Sequence, residues 1–210
     1  MRKGETRSAR KTCQILQAAS VTFLSKGYDG TSMDEVAAKA SVSKQTVYKH
    51  FADKETLFNE VVRSTATQAN DVIESVTTLL ADAEFVEGNL RQLARRLTTM
   101  LMNEELLKLR RLIIANADRM PQLGRNWYKD GFERMLDTMA SCFERLTNRG
   151  LMKATDPHIA ASHFFGMLLW IPMNEAMFTG NSNPLSKAKL DRHADASVEA
   201  FLAAYGIKPR

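Results

Sequence analysis

Lys44, Gln45, Thr46, Tyr48, Lys49 and His50 crowd six hydrogen-bond donors or cations, and no acid, into seven residues. Val47 and Phe51 fall among them at helical spacing and form the inward side of the same short segment. Base edges in the DNA major groove offer acceptors, donors and a thymine methyl, and phosphates line its walls. A short helix with a small apolar inner face and a donor-rich, acid-free outer face suits that groove. The solvated face of an ordinary helical hairpin mixes charge signs, and this one does not.

The neighbouring residues place that face. Ser32-Met33-Asp34-Glu35 has the form of a capping box, with a hydroxyl for one free amide and a carboxylate three residues on to reach back. Val36, Ala37 and Ala40 recur at helical spacing, "ASVS" breaks the pattern, and Ser43 caps the second helix. The spacing predicts a helix-turn-helix. Charge agrees. Residues 1–54 hold 10 basic and 5 acidic side chains and residues 55–210 hold 19 of each, so the whole net charge of +5 lies on the motif segment. That is a local basic footprint for phosphates. The first eleven residues, with Arg2, Lys3, Arg7, Arg10 and Lys11 against Glu5, have no apolar pattern and read as a flexible arm.

A chain of 210 residues with 44% hydrophobic content can bury a sizeable core. The N-terminus is charged and lacks the apolar run of a signal peptide, which points to a cytoplasmic protein. Cys13 and Cys142 lie far apart within helical patterns and read as two small buried thiols in a reducing compartment. Catalysis finds no support. His158 and His163 are wrongly spaced for one metal-binding helical face, and no glycine-rich phosphate loop, nucleophile elbow or cysteine cluster occurs; no metal or cofactor is expected.

The periodicity is helical throughout, and the expected fold is all-α with about nine helices. Ile15, Leu16, Ala19 and Phe23 mark a first helix that Gly27 stops. Asp53 caps a long fourth helix reaching about residue 80, and further helices cover about 87–102 and 104–117. Pro121 opens a long one with Phe132, Leu136, Met139, Phe143 and Leu146 inward and Gly150 beyond its end. Asp156-Pro157 opens the next, and the last runs from about 186 to Tyr205. The expected division is a helix-turn-helix head over 1–54 with its basic arm, and a second domain over 55–210 joined to it by the fourth helix.

The stretch "ILQAASVTFLSKGYDGTSMDEVAAKASVSKQTVYKHFADKETLFNEVV", residues 15–62, resembles the TetR/AcrR family of bacterial transcriptional regulators. The segments "LRRLIIANADRMPQL" and "FFGMLLWIPMNEAMF" are similar to members with AcrR-like or AefR-like regulatory domains. Three positions depart from the family pattern: Ser41 for a frequent turn glycine, Gln45 for a frequent glycine, and His50 for a frequent tyrosine. Ser at a positive-φ site costs about 1 kcal/mol. Gln45 adds a side chain able to pair bidentately with adenine. The resemblance implies that Lys44, Gln45 and Thr46 face base edges, and that Tyr48, Lys49, His50, Thr31 and Lys54 contact phosphates.

Residues 158–178 are apolar on nearly every face and must be covered all round. His163, Pro172, Asn174 and Glu175 interrupt a membrane span, so the cover is expected to be the domain's own core and a second subunit. The resemblance implies a four-helix homodimer contact through Phe165, Leu168, Leu169, Val198, Phe201 and Leu202. It also implies an effector pocket in the Met-rich region, lined by Met100, Asn116, Trp127, Met135, Met139, His163, Met167 and Trp170, with Asn174 and Glu175 as further polar anchors. Balanced charge in this half leads us to expect a small hydrophobic effector. The function expected is a ligand-released repressor of a pseudo-palindromic operator. Control by a protein partner, or by no effector, is the alternative.

Overall fold

The computed structural model describes residues 3–81, 85–179 and 186–207. Its α-helices are α1 (Lys3–Lys26), α2 (Met33–Lys39), α3 (Lys44–His50), α4 (Lys54–Ala81), α5 (Val86–Leu101), α6 (Glu104–Asn116), α7 (Pro121–Trp127), α8 (Arg134–Asn148), α9 (Pro157–Thr179) and α10 (Lys187–Tyr205). A π-helical turn, Tyr128–Glu133, joins α7 to α8 without a break, so the expected long helix from Pro121 is present with a bulge inside it. Counted as one run, it brings the described residues to the nine helices expected. They contain no strand, only an isolated bridge between Met152 and Gly206.

Helix ends follow the sequence signals. Ser32, Ser43 and Ser186 each accept an amide hydrogen bond as N-caps. Gly27 and Gly150 take φ of 73° and 71° at the C-terminal ends of α1 and α8, where a Cβ would be strained. The capping box is half formed. Ser32 Oγ accepts from Glu35 N at 3.2 Å, but the Glu35 carboxylate takes Lys26 Nζ at 2.6 Å instead of reaching back. The basic arm is not a separate flexible element, because α1 is helical from Lys3; its Lys, Arg and Glu favour helix and no proline separates them from Ile15. Arg2 lies outside the described residues. Cys142 is buried as expected, whereas Cys13 is exposed on α1.

The chain forms two compact units, divided elsewhere than at residue 54. The first comprises residues up to Ala66 with Leu109–Trp127, and the second Thr67–Lys108 with residues from Tyr128 onward. One long helix and two of seven residues have too little apolar surface to close a core. The head therefore recruits Leu57, Phe58, Val61 and Val62 from α4, and Leu109, Ile113, Met120 and Leu123 from further along the chain, around Phe23, Val36 and Val47. At its centre Phe58 stands 4.7 Å from Phe23 and 5.4 Å from Tyr28, ring to ring.

In the second unit Phe143, Phe164 and Phe201, from α8, α9 and α10, lie with ring centroids 5.1–5.8 Å apart. Pro172 sits inside α9 and cannot donate to the carbonyl of Leu168. His193 Nε2 on α10 donates to that carbonyl at 3.1 Å, so the orphaned acceptor is covered, and Ser197 Oγ donates to the adjacent Met167 O at 3.1 Å. On α5, Arg95 and Arg91 both reach Asp195 of α10.

Ser41 has φ of 54°, the positive value expected of the turn between α2 and α3. Ser41→Gly removes a strain of about 1–2 kcal/mol and adds back about 0.5–1 kcal/mol of unfolded-chain entropy. We expect a net gain of about 0.5–1 kcal/mol, read as a higher urea midpoint at unchanged slope.

Candidate nucleic-acid interface

Helix α3 is seven residues long, and Val47 is its one buried residue, with Phe51 buried just beyond its end. The segment holds its place through these two side chains and through Ser43, whose Oγ accepts from Thr46 N at 3.1 Å and lies 2.8 Å from Thr46 Oγ1. That leaves Lys44, Gln45, Tyr48 and Lys49 exposed and Thr46 and His50 half-buried. No acid stands on α3 itself.

Contacts within the head tie down several of the residues expected to touch DNA. Lys44 Nζ meets the Asp34 carboxylate on α2 at 2.7 and 2.9 Å, and this hydrogen bond, more than the charge attraction, raises its pKa above the usual lysine value. His50 Nδ1 lies 3.1 Å from Thr12 Oγ1, which links the end of α3 to α1. Thr31 is turned inward: its side chain is buried and donates to Gly27 O at 2.8 Å. Lys54 Nζ donates to Tyr28 O at 2.9 Å and Thr31 O at 3.1 Å, and stands 4.5 Å from the centre of the Tyr28 ring. The ammonium thus closes the turn between α1 and α2, where three carbonyls converge, and is not presented outward. Sequence spacing held no sign of this, because the acceptors are backbone atoms more than twenty residues away.

A second tie holds the same turn. Arg119 grips Asp29 with both nitrogens, at 2.8 and 3.2 Å, and this holds the Asp29 carboxyl below its ordinary range. Asp53 caps α4, its Oδ1 accepting from Thr56 N at 2.7 Å, and that bond lowers its pKa too. Burial, and then the carboxylates of Glu55 and Asp53, push the Tyr28 hydroxyl above its usual value.

The residues expected to line an effector pocket fall in both units. Asn116 is buried in the head unit, donating to Leu112 O at 2.8 Å, and Trp127 packs on the head core. Met135 and Met139 are buried on α8, Met100 is half-buried, and His163 is exposed with Nδ1 2.6 Å from Tyr205 OH. A cavity of about 310 Å³ in the second unit is walled by Glu74, Thr77 and Thr78 of α4 and by Arg134, Thr138, Ser141, Cys142 and Arg145 of α8. None of the expected residues lines it.

The residues expected at a dimer contact lie mostly inside the fold of the single chain. Phe165, Leu168, Leu169, Val198 and Phe201 are buried within the chain's own core, and Leu202 is half-buried. Trp170 and Met167, expected at a pocket, are instead 68% and 39% exposed. With Ile159, Ile171 and Phe178 they form an apolar stripe along α9, and Gly166 lies on the same exposed face. No helix among the described residues is long and apolar enough to cross a membrane.

Residues 15–61 match the bacterial regulatory proteins of the tetR family, and residues 88–207, more than half the chain, match the C-terminal domain of AefR-like transcriptional repressors. The chain belongs to the TetR family. A TetR-family transcriptional regulator from Mesorhizobium loti is 74% identical, covers 96% of this chain and 99% of its own, and superposes with a TM-score of 0.93. The flavonoid-responsive regulator FrrA is 25% identical over 96% of this chain and all of its own, with a TM-score of 0.70. The DNA-binding transcriptional repressor TetR of Mycobacteroides abscessus is 34% identical over 99 residues, and the biofilm-operon negative regulator IcaR of Staphylococcus aureus is 32% identical over 60. The matches span 50% and 32% of those two curated relatives' lengths. The TetR-family protein described here is a DNA-binding transcriptional regulator and not an enzyme.

Lys54→Met keeps the aliphatic stem and removes the ammonium. Hydrogen bonds from a charged group are worth about 1.5–3 kcal/mol, and we expect a loss of that order in urea unfolding. The slope of log affinity against log salt should stay at the wild-type value, whereas loss of a phosphate contact would reduce it by about one.

Proposed function

We propose that this TetR-family regulator is a repressor that binds a pseudo-palindromic operator as a homodimer and is released by a small, largely hydrophobic effector, acting in the bacterial cytoplasm. The observation that carries the DNA-reading part is the acid-free outer face of α3, with Gln45, Tyr48 and Lys49 exposed on a helix anchored by Val47. Gln45 reads a base edge, as its bidentate amide suits adenine. Tyr48 and Lys49 take phosphates. Lys44 and His50 join them only by exchanging Asp34 and Thr12 for DNA, and Thr46 shares its hydroxyl with its own cap.

The exposed stripe of α9 supports the dimer. Exposed large apolar side chains at helical spacing mark an association face, and the neighbouring exposed positions of α10, Ala196, Ala200, Ala203 and Ala204, are small enough for close helix approach. Two-fold symmetry then sets two copies of α3 about 34–36 Å apart, one helical turn of DNA. The name of FrrA supports response to a small aromatic compound. Effector binding would change the spacing of the heads, with a coupling of roughly 1–3 kcal/mol.

Selection from random duplex DNA at physiological salt tests the reading. Enrichment of a two-fold symmetric motif supports it, and enrichment of an unsymmetric site or of none contradicts it. On point-mutated sites, Gln45→Ala should lose roughly 1–3 kcal/mol of discrimination at one base pair in each half and leave the others unchanged. Trp170→Glu should sediment as a monomer and lose operator affinity, with its helical content intact.

A further inference from the structure

Helix α3 opens on a lysine and has no acid in its first turn, although the positive end of a helix favours negative charge there. The missing carboxylate comes from α2. Asp34, in the first turn of its own helix, meets Lys44 Nζ with both oxygens, Oδ1 at 2.7 Å and Oδ2 at 2.9 Å. The same ammonium stands 5.9 Å from the centre of the Tyr48 ring, one turn further along α3. A lysine on four freely turning bonds acts as a point charge, whereas one held by a carboxylate beside a ring has a direction. Both side chains of the pair stay open to solvent, 59% and 63% exposed. The pair therefore contributes little to stability and is accessible to a partner.

Pairing changes what Lys44 can recognise, because Lys44 and Asp34 together carry no net charge. A phosphate that took Lys44 would leave the Asp34 carboxylate unpaired against the negative backbone, in a groove from which water is being expelled. A guanine edge sets no such cost. Its O6 and N7 are neutral acceptors, and an ammonium has three N–H groups, so those not aimed at Asp34 can reach them. Position agrees. The N-terminal residues of a recognition helix are the ones that meet base edges, and Lys44 is the first residue of α3.

We infer that Asp34 is a positioning residue for base readout: it holds Lys44 as a net-neutral donor that reads guanine and takes no phosphate. The counter-ions released on binding are then those of other cations, and Lys44 contributes to discrimination alone. The inference rests on the proposed reading in which α3 enters the major groove, and it concerns contacts within the head only.

Lys44→Met, Asp34→Asn and Asp34→Glu are compared with the wild type as full-length proteins. Affinity is measured on the duplex selected by the wild type, on its single-base variants, and on an unselected duplex over a range of salt; the thermal midpoint reports the fold. We expect Lys44→Met to lose about tenfold or more in discrimination at one G·C pair, with the slope of log affinity against log salt unchanged. Asp34→Asn should lose discrimination at the same pair and steepen the slope on unselected duplex by about one, because its lysine is free to take a phosphate. Asp34→Glu keeps the charge and should keep the wild-type slope. A slope flattened by about one in Lys44→Met, with discrimination intact, would make Lys44 a phosphate contact and overturn the inference. Wild-type slope and discrimination in Asp34→Asn would overturn it too, as would losses in both variants that scale with a fall in the thermal midpoint. Should selection enrich no duplex, the major-groove reading fails by itself and the slopes on unselected duplex still decide. An unchanged slope in Asp34→Asn then rejects the neutral pair, and a steeper one supports it.

Discussion

A seven-residue helix has no stability of its own in water, because the cost of its first turn is recovered only over many more residues. The outer face of α3, which we propose reads DNA, therefore exists through burial of Val47 and Phe51 in a core that α1 and two seven-residue helices could not close unaided. The head recruits the first turns of α4 and the segment from Leu109 to Leu123 to seal it. Everything polar about the motif is then arranged around that apolar requirement. Serine caps set the ends of α2 and α3, Asp34 holds Lys44, Thr12 meets His50, and Lys54 with Arg119 closes the turn that precedes α2. Lys44, His50 and Lys54, expected to point at DNA, are engaged within the head, and Gln45, Tyr48 and Lys49 remain exposed.

The second unit solves a different problem. Helix α9 is apolar on every face, and a proline in its middle removes one backbone donor. The core takes Phe164, Phe165, Leu168 and Leu169, and α10 supplies His193 and Ser197 to the carbonyls near the proline. What remains is an uncharged, partly aromatic stripe that water covers poorly. In the proposed reading of a symmetric site such a stripe has a use, because self-association of one face generates the two-fold axis.

Much of this was legible in the residues. Caps, glycine stops and the period of the apolar positions gave the helices, and Ser41 revealed its positive φ through its place in a turn. The family signature over residues 15–62 located α3 and its outer face. Three things were not legible, each for a physical reason. In α9, where nearly every position is apolar, periodicity has no phase, so Phe165 and Trp170 could not be sorted into core and surface. The roles of Lys54 and Thr31 depend on backbone carbonyls brought close by the turn of the chain, which side-chain spacing does not encode. The π turn has an unremarkable composition, and its support comes from Asn70, sixty residues earlier in the chain.

We propose that two copies of α3, fixed by one symmetric dimer, read two successive major grooves on the same side of the duplex. Hydroxyl-radical footprinting of the protein on its selected duplex measures this directly. Two protected windows on one face, their centres about 34–36 Å apart and related by the site's own dyad, are the predicted result. A single window, or uniform weak protection along the duplex, would contradict it and leave the basic head as a non-specific binder.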